Sequence, residues 1–387
     1  MQTFDYAMLR TRGKKKRYKR ALGMKILALG AGGFIGSHLT QRLLAEGHSV
    51  TAVDLYPDKV CEFLEHPRLT FIQQDIRRPD WNLDALVEAA DLVIDLIAYA
   101  NPGLYIRIPL EVFRLNFTEN LKIAEACVKA SKRLIQFSTC EVYGRTAATL
   151  KNANVADRGD PIHATFIEDE SEFILGPVSK HRWIYACSKQ LLERVLHAYG
   201  LEKGFNYSIV RPFNFIGPKI DFLLSEQDGV PRVFSFFMDA LLNGGEMKLV
   251  GGGEQRRCYT YIDDAIECVN HIVENRGGVC DRQIFNVGSP DNEVSIRQLA
   301  ETMRDIYARE FASPGAKLAE IVKVTGEEFY GKGYEDSDRR IPDITKARTL
   351  LGWEPKWRTR EMLKATMSYY VNEYPKQATS TAGVRAD

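Results

Sequence analysis

The sequence predicts an α/β fold: a doubly wound parallel sheet followed by a smaller C-terminal lobe. Three observations carry this. Short apolar runs alternate with helix-spaced runs from Met24 to Pro212. The strand candidates are continuously apolar, as strands covered on both faces must be. After Pro212 the alternation gives way to segments rich in glycine and proline that mix polar with aromatic residues.

In order, residues 25–30 form the first strand. Residues 33–46 follow with helical spacing, where Phe34, Ile35, His38, Leu39, Leu43 and Leu44 recur. Residues 49–54, 69–75 and 91–98 are the next strands. Residues 114–130 read as one long helix, 133–139 as a buried strand, 184–199 as a helix and 207–212 as a strand. Such βα alternation covers both faces of a sheet with helices. Beyond Pro212, residues 213–217, 224–231 and 244–255 break the pattern, with short helices expected over 233–243 and 295–307. The expected division is a disordered basic tail over 1–23, a sheet domain over 24–212, a second lobe over 213–375 and a frayed tail over 376–387. The lobe is expected to interleave with the sheet domain through residues 264–275.

Composition narrows the function. The 387 residues are 45% hydrophobic and 27% charged, which excludes a wholly disordered or low-complexity chain. No run of 18 apolar residues occurs, so no membrane span is expected. The net charge of +1 is uneven: residues 1–23 carry +7 and the rest −6. A body of that sign is not a nucleic-acid binder by charge. Residues 10–20, eight of them basic, read as a solvated tail or as an extension upstream of a start at Met24. The basic stretch and the apolar run 24–29 are not a secretory signal, because that run enters a glycine turn and not a cleavage site. The seven cysteines are scattered and form no Cys-x-x-Cys pair. No disulfide framework, no metal site and a reducing cytoplasmic location are therefore expected.

Gly30-x-x-Gly33-x-x-Gly36 lies between a strand and a helix. That context suits a tight turn whose backbone N–H groups approach a pyrophosphate, the mark of a Rossmann-type sheet. Phe34 and Ile35 belong to the same turn. Asp54 ends the next strand, where a carboxylate accepts from a ribose diol and repels a 2′-phosphate, so NAD is the expected cofactor. Asp75 and Ile76, after the third strand, suit the adenine edge. Tyr185 and Lys189 stand four apart on one helical face. A tyrosine is a poor base at neutral pH, but an adjacent ammonium favours the phenolate. Thr139, ending the preceding strand, can bond the same hydroxyl. Together they suggest a general base acting on a sugar hydroxyl.

This combination resembles the extended short-chain dehydrogenase/reductase superfamily. The runs Ser138-Thr139-Cys140-Glu141-Val142-Tyr143-Gly144, Arg182-Trp183-Ile184-Tyr185, Arg211-Pro212-Phe213-Asn214 and Gly331-Lys332-Gly333-Tyr334 narrow the resemblance to its NAD-dependent UDP-glucuronate decarboxylases, over residues 24–373. The resemblance implies a UDP-sugar substrate and assigns Thr139, Cys140, Glu141, Arg182, Tyr185, Lys189 and Arg340 to catalysis. Arg182 and Arg340 would hold the substrate carboxylate. It assigns Ala100, Tyr105, Asn214, Lys248 and Tyr334 to the nucleotide sugar, and Arg257 to its diphosphate. It further implies C4 oxidation by NAD and loss of carbon dioxide from the resulting β-keto acid. UDP-xylose, UDP-apiose or UDP-4-keto-pentose then follows, according to whether the intermediate is reduced, contracted or released. The branched-sugar branch of the family pairs Cys140 with a second cysteine where this chain has Ala100. Two other readings stay open at this point: a nucleotide-sugar 4-epimerase or dehydratase, and a non-catalytic NAD-binding sensor. The fold also implies a homodimer paired through residues 114–130 and 184–199.

Overall fold

Strand and helix alternate through the first part of the chain: β1 (Lys25–Leu29), α1 (Phe34–Ala45), β2 (Ser49–Asp54), β3 (Leu69–Gln73), α2 (Leu83–Ala89), β4 (Leu92–Asp95), α3 (Pro102–Arg107), α4 (Pro109–Phe113), α5 (Asn120–Lys129) and β5 (Arg133–Phe137). Then come β6 (Thr165–Phe166), α6 (Trp183–Lys203), β7 (Tyr207–Pro212), β8 (Phe215–Ile216), α7 (Val233–Asn243), β9 (Glu246–Val250), β10 (Arg256–Cys258), β11 (Thr260–Tyr261), α8 (Ile262–Glu274) and β12 (Gln283–Val287). The chain ends with β13 (Glu293–Ser295), α9 (Ile296–Glu310), β14 (Glu320–Val324), α10 (Gly326–Tyr330), β15 (Arg339–Pro342) and α11 (Thr359–Asn372). The structure, a computed structural model, describes residues 23–146, 157, 159–223, 232–331 and 335–374.

Seven strands form one wholly parallel sheet in the order β12-β7-β5-β4-β1-β2-β3. β1 shows why. Ile26 and Ala28 face a layer that includes Leu39 and Leu43 of α1 and Ile266 and Val269 of α8. Leu27 and Leu29 face the opposite layer, with Ile123 and Cys127 of α5 and Leu196 of α6. Both faces of the strand are thus dry, and each such aliphatic side chain contributes about 1.5–3 kcal/mol of burial. The strand order reverses between β1 and β4, which opens a crevice at the carboxyl ends of the strands.

The large sheet draws on both halves of the chain. β12 pairs with β7, and α8 lies against α1. The remaining strands build a four-stranded sheet, β13-β10-β15-β6, and two small pairs, β11-β8 and β14-β9. In the four-stranded sheet β10 and β15 run parallel, with Arg257 opposite Arg340.

The structure goes beyond the sequence expectations at three places. The helix expected over 114–130 is part of a longer helical stretch, in which a π segment, Arg114–Glu119, separates α4 from α5. Within it Asn116 is fully buried, and its amide bonds both the N–H and the carbonyl of Tyr99. Residues 244–255 are not irregular throughout, because β9 pairs there with β14. The sequence reading passed over α11, although Met362, Leu363, Thr366, Met367 and Tyr370 recur at helical spacing and are buried. Residues 224–231 lie outside the described residues. Among the described residues no helix is long and apolar enough to cross a membrane, and no cluster of potential ligands for a metal occurs.

Candidate active site

The glycine turn leads from β1 into α1. Gly30 has φ +82°, a left-handed backbone that favours glycine. A Cβ on Gly36 would stand 2.3 Å from the Gly30 carbonyl oxygen, so this glycine lets α1 pack onto the turn. A Cβ on Gly32 would stand 2.1 Å from the Tyr56 carbonyl oxygen and 2.9 Å from Cγ of Asp54. Gly32 was missed by the sequence reading, although the Gly32-Gly33 doublet was there to find. Its N–H donates to Oδ2 of Asp54 at 2.8 Å, and the Leu55 N–H donates to Oδ1 at 2.7 Å. Burial raises the Asp54 carboxyl, and these backbone donors oppose that rise.

The turn fits a dinucleotide. No side chain caps α1, and its first turn carries no acid. Its N–H groups and dipole are therefore available to an anion. A Cβ on Gly33 would meet only the Gly30 oxygen, at 3.3 Å. Asp75 is held by Arg77 through bonds of 2.8 and 2.7 Å, and Arg77 also donates to the Tyr99 hydroxyl at 3.0 Å. Ile76 is buried beside them.

The second group lies at the carboxyl end of β5 and the start of α6. Tyr185 and Lys189 occupy the first turns of α6, and both are buried. The Lys189 ammonium donates to the Phe137 carbonyl at 3.0 Å and, more weakly, to that of Ile97 at 3.5 Å. Burial pulls Lys189 down to about 8, while Asp95 and Glu193 hold it up. Tyr185 stacks on Tyr105, with ring centroids 4.6 Å apart and planes within 10°. Burial pushes the Tyr185 phenol up, and hydrogen bonds with Thr139 and Tyr105 oppose the push. Thr139 also caps the turn Cys140–Tyr143 by accepting from the Glu141 N–H at 3.1 Å.

The third group joins the two halves of the chain. Glu141 takes Arg182 at 2.8 and 3.0 Å and Arg340 at 2.6 Å. Asp336 takes Arg182 at 3.1 Å and Arg257 at 2.8 Å. The three guanidinium groups are buried. Like charges opposed across a ladder repel, and a cation at a helix N-terminus is disfavoured. Arg257 faces Arg340 in this way, and Arg182 is the N-cap of α6. The two carboxylates are what make the arrangement tolerable. Burial opposes ionisation of Glu141, but Arg182 and Arg340 outweigh it and hold the carboxyl well below the usual range. Asp336 is lowered in the same way, against its burial, by Arg182 and Arg257. Asp336 was missed from sequence: an acid in a loop carries no periodicity. Next to it, Glu335 accepts from the Trp183 indole at 2.8 Å and tethers the loop to α6.

The other sequence candidates fall as follows. Cys140 is buried, and burial raises its thiol, so it stays protonated at neutral pH. Asn214 has φ +44° and donates to the Cys258 carbonyl at 3.0 Å. Ala100 is exposed, two residues before α3. Lys248 stands opposite Val322 in the β9–β14 pair, and among the described residues no hydrogen bond or ion pair ties it to the arginine cluster. Arg257 is engaged by Asp336. Tyr334 lies outside the described residues.

A parallel sheet with a glycine turn at its switch point and a tyrosine–lysine pair across the crevice defines a nucleotide-dependent short-chain dehydrogenase/reductase. The NAD dependent epimerase/dehydratase family matches residues 26–288, and the chain belongs to it. Within that family it is similar to UDP-D-apiose/UDP-D-xylose synthase of Oryza sativa subsp. japonica, 43% identical over 361 residues that cover 91% of this chain and 90% of that one. It is 44% identical to UDP-D-apiose/UDP-D-xylose synthase 1 of Arabidopsis thaliana, over 92% of this chain and 94% of that one. Among solved structures, PbgP3 protein from Burkholderia pseudomallei superposes with a TM-score of 0.77 at 34% identity, covering 92% of this chain and 98% of that one.

Proposed function

We propose that the chain is an NAD-dependent UDP-glucuronate decarboxylase that yields UDP-xylose, UDP-apiose or both. The observation that carries this reading is one site holding two devices. The Tyr185–Lys189–Thr139 group suits deprotonation of a sugar hydroxyl, and the arginine cluster beside it suits a carboxylate. The relatives are named as synthases of UDP-D-apiose and UDP-D-xylose, the products this reading expects.

NAD, when bound, supplies the hydride acceptor for C4 and a donor for the reverse transfer. Gly30, Gly32, Gly33, Phe34, Ile35 and Gly36 would hold its pyrophosphate region. Asp54 would take the ribose diol, Asp75 and Ile76 the adenine edge, and Tyr185 and Lys189 the nicotinamide end. Tyr185 takes the proton from the C4 hydroxyl, with Lys189 favouring its phenolate and Thr139 orienting it. The resulting 4-ketone lies β to the C6 carboxylate. The C5–C6 bond breaks, its electron pair passes into the ketone as an enolate, and carbon dioxide leaves. Three arginines face two carboxylates in the cluster, so one positive charge is left over for a substrate anion. Glu141, ionised, fixes Arg182 and Arg340. Cys140, a neutral thiol, is a proton source on the same strand end. Tyr105, Asn214, Lys248, Arg257 and Tyr334 would complete the nucleotide-sugar contacts, with Ala100 toward the sugar end.

The enzyme works as a homodimer in the cytosol. Support for pairing is the exposure of Leu110 and Leu191 on the helical stretches of α4 and α6; sedimentation tests it. The seven cysteines, all free, are compatible with a reducing compartment.

Proton NMR of UDP-glucuronate incubated with enzyme and NAD tests the reading. Pentose signals lacking C6 are expected. Accumulation of UDP-galacturonate, or an unchanged substrate, would overturn it.

A further inference from the structure

Asp95 is the last residue of β4 and is wholly buried. No step of the proposed reaction uses it. Its two oxygens accept from neutral donors: the Ile97 N–H at 2.9 Å and the Gln136 amide at 2.9 Å. A carboxylate buried with neutral partners alone is costly unless a cation faces it.

The cation that meets the same residue as Asp95 is Lys189. Lys189 and Asp95 grip the same residue from opposite sides. Asp95 holds the N–H of Ile97, and its carbonyl accepts from Lys189 at 3.5 Å and from Asn120 at 3.0 Å. The other charged groups nearby are already matched. On α6, Glu193 is engaged by Arg211 of β7 through bonds of 3.1 and 2.6 Å. On α5, Cys127 is a thiol that burial keeps neutral. Tyr185 is the remaining titratable neighbour on α6. Asp95 is thus the one buried anion near Lys189, among the described residues, that has no guanidinium of its own.

We propose that Asp95 is a positioning residue: its buried carboxylate is the counter-charge that keeps Lys189 an ammonium beside Tyr185, and it fixes the Ile97 strap that receives Lys189. The assignment rests on reading Tyr185 and Lys189 as the base pair. The electrostatics agree with the geometry. Burial lowers Lys189, and Asp95 is the largest influence opposing that. Burial raises Asp95, and Lys189 is the largest influence opposing it. Without Asp95, Lys189 would lose its proton at lower pH, and the Tyr185 phenolate would lose its support in the range where the enzyme works.

The test is Asp95→Asn in the NAD-loaded enzyme, which keeps shape and hydrogen bonding and removes the charge. The Lys189 titration is followed by NMR of carbon-labelled lysine, assigned with Lys189→Met, and kcat is measured against pH. The Lys189 titration should fall by about one pH unit or more from near 8, a tenfold loss of ammonium. The alkaline limb of kcat should move down with it, while activity near pH 6 is largely restored. An unmoved Lys189 titration overturns the proposal. A moved titration with an unmoved alkaline limb leaves the Asp95–Lys189 coupling standing and defeats the base-pair reading instead. Lys189→Met is the second variant, should Asp95→Asn fail to fold. It removes the cation and should raise the titration of the Asp95 carboxyl, followed by NMR of carbon-labelled aspartate; an unmoved Asp95 titration there overturns the proposal equally.

Discussion

The site has two unlike halves. Around Tyr185 and Lys189, charges are few: the direct hydrogen bonds come from backbone carbonyls and neutral hydroxyls, with Asp95 behind them. Around Arg182, Arg257 and Arg340, charges are dense and each is met by a carboxylate. The first half draws on residues 95–189, from the ends of β4 and β5, from α3 and from the start of α6. The second spans nearly 200 positions of sequence, from Glu141 to Arg340. The difference teaches a division of labour. A sparse, dry pocket leaves a phenol free to move a proton, whereas a dense cluster holds geometry and offers net positive charge to an anion.

The largest expected effect breaks the first half. Tyr185→Phe should cut turnover by at least about 100-fold, the usual scale for loss of a general base. NAD titration should show binding preserved, and near-normal carbon dioxide release would show that another group moves the proton. The second effect breaks the dense half. Arg340→Ala takes one of two guanidinium partners from Glu141, which keeps Arg182, and should cost about 1–3 kcal/mol of stability, read by urea unfolding. Arg182→Ala should cost at least as much, because it takes a partner from both Glu141 and Asp336. Both variants should impair decarboxylation more than NAD binding, and normal turnover by both would place the carboxylate site elsewhere.

Smaller effects sharpen the comparison. Asp54→Ala should narrow the preference for NAD over NADP by about tenfold, a change of about 1.4 kcal/mol; wild-type enzyme that binds NADP as tightly as NAD would remove the role given to Asp54. The smallest expected change is in product ratio. Ring contraction needs proton transfers away from Tyr185, and a thiol is a suitable carrier. UDP-xylose should be a major product of the wild type. Cys140→Ser should abolish any UDP-apiose and keep UDP-xylose, and Ala100→Cys should raise the branched fraction. NMR of the product mixture reads all three, and a wild-type product almost wholly UDP-apiose would overturn this ordering.

The same contrast explains what sequence could reveal. The sheet was legible because apolar runs such as 49–54 and 207–212 have to be buried on both faces, and both ranges recur unchanged as β2 and β7. The glycine turn and the Tyr185–Lys189 spacing were legible because each is confined to a few neighbouring residues. Asp336 and Asp95 were not. An acid matters only through what faces it, and their partners lie on other elements. Gly32 escaped for a different reason: its constraint is the Tyr56 oxygen and the Asp54 side chain, more than twenty residues away.

The return of β12 to the large sheet bears on how the chain is made. β7 is complete when residue 212 has been synthesised, but its outer edge stays unpaired until Gln283–Val287 is available. About 70 further residues separate the two, several seconds of elongation at ribosomal speed. Throughout that interval the nascent chain presents Tyr207–Pro212, a buried apolar strand in the finished protein, as an open edge. Open edges of this kind invite pairing with other chains. A truncation at residue 212 should therefore aggregate and not fold.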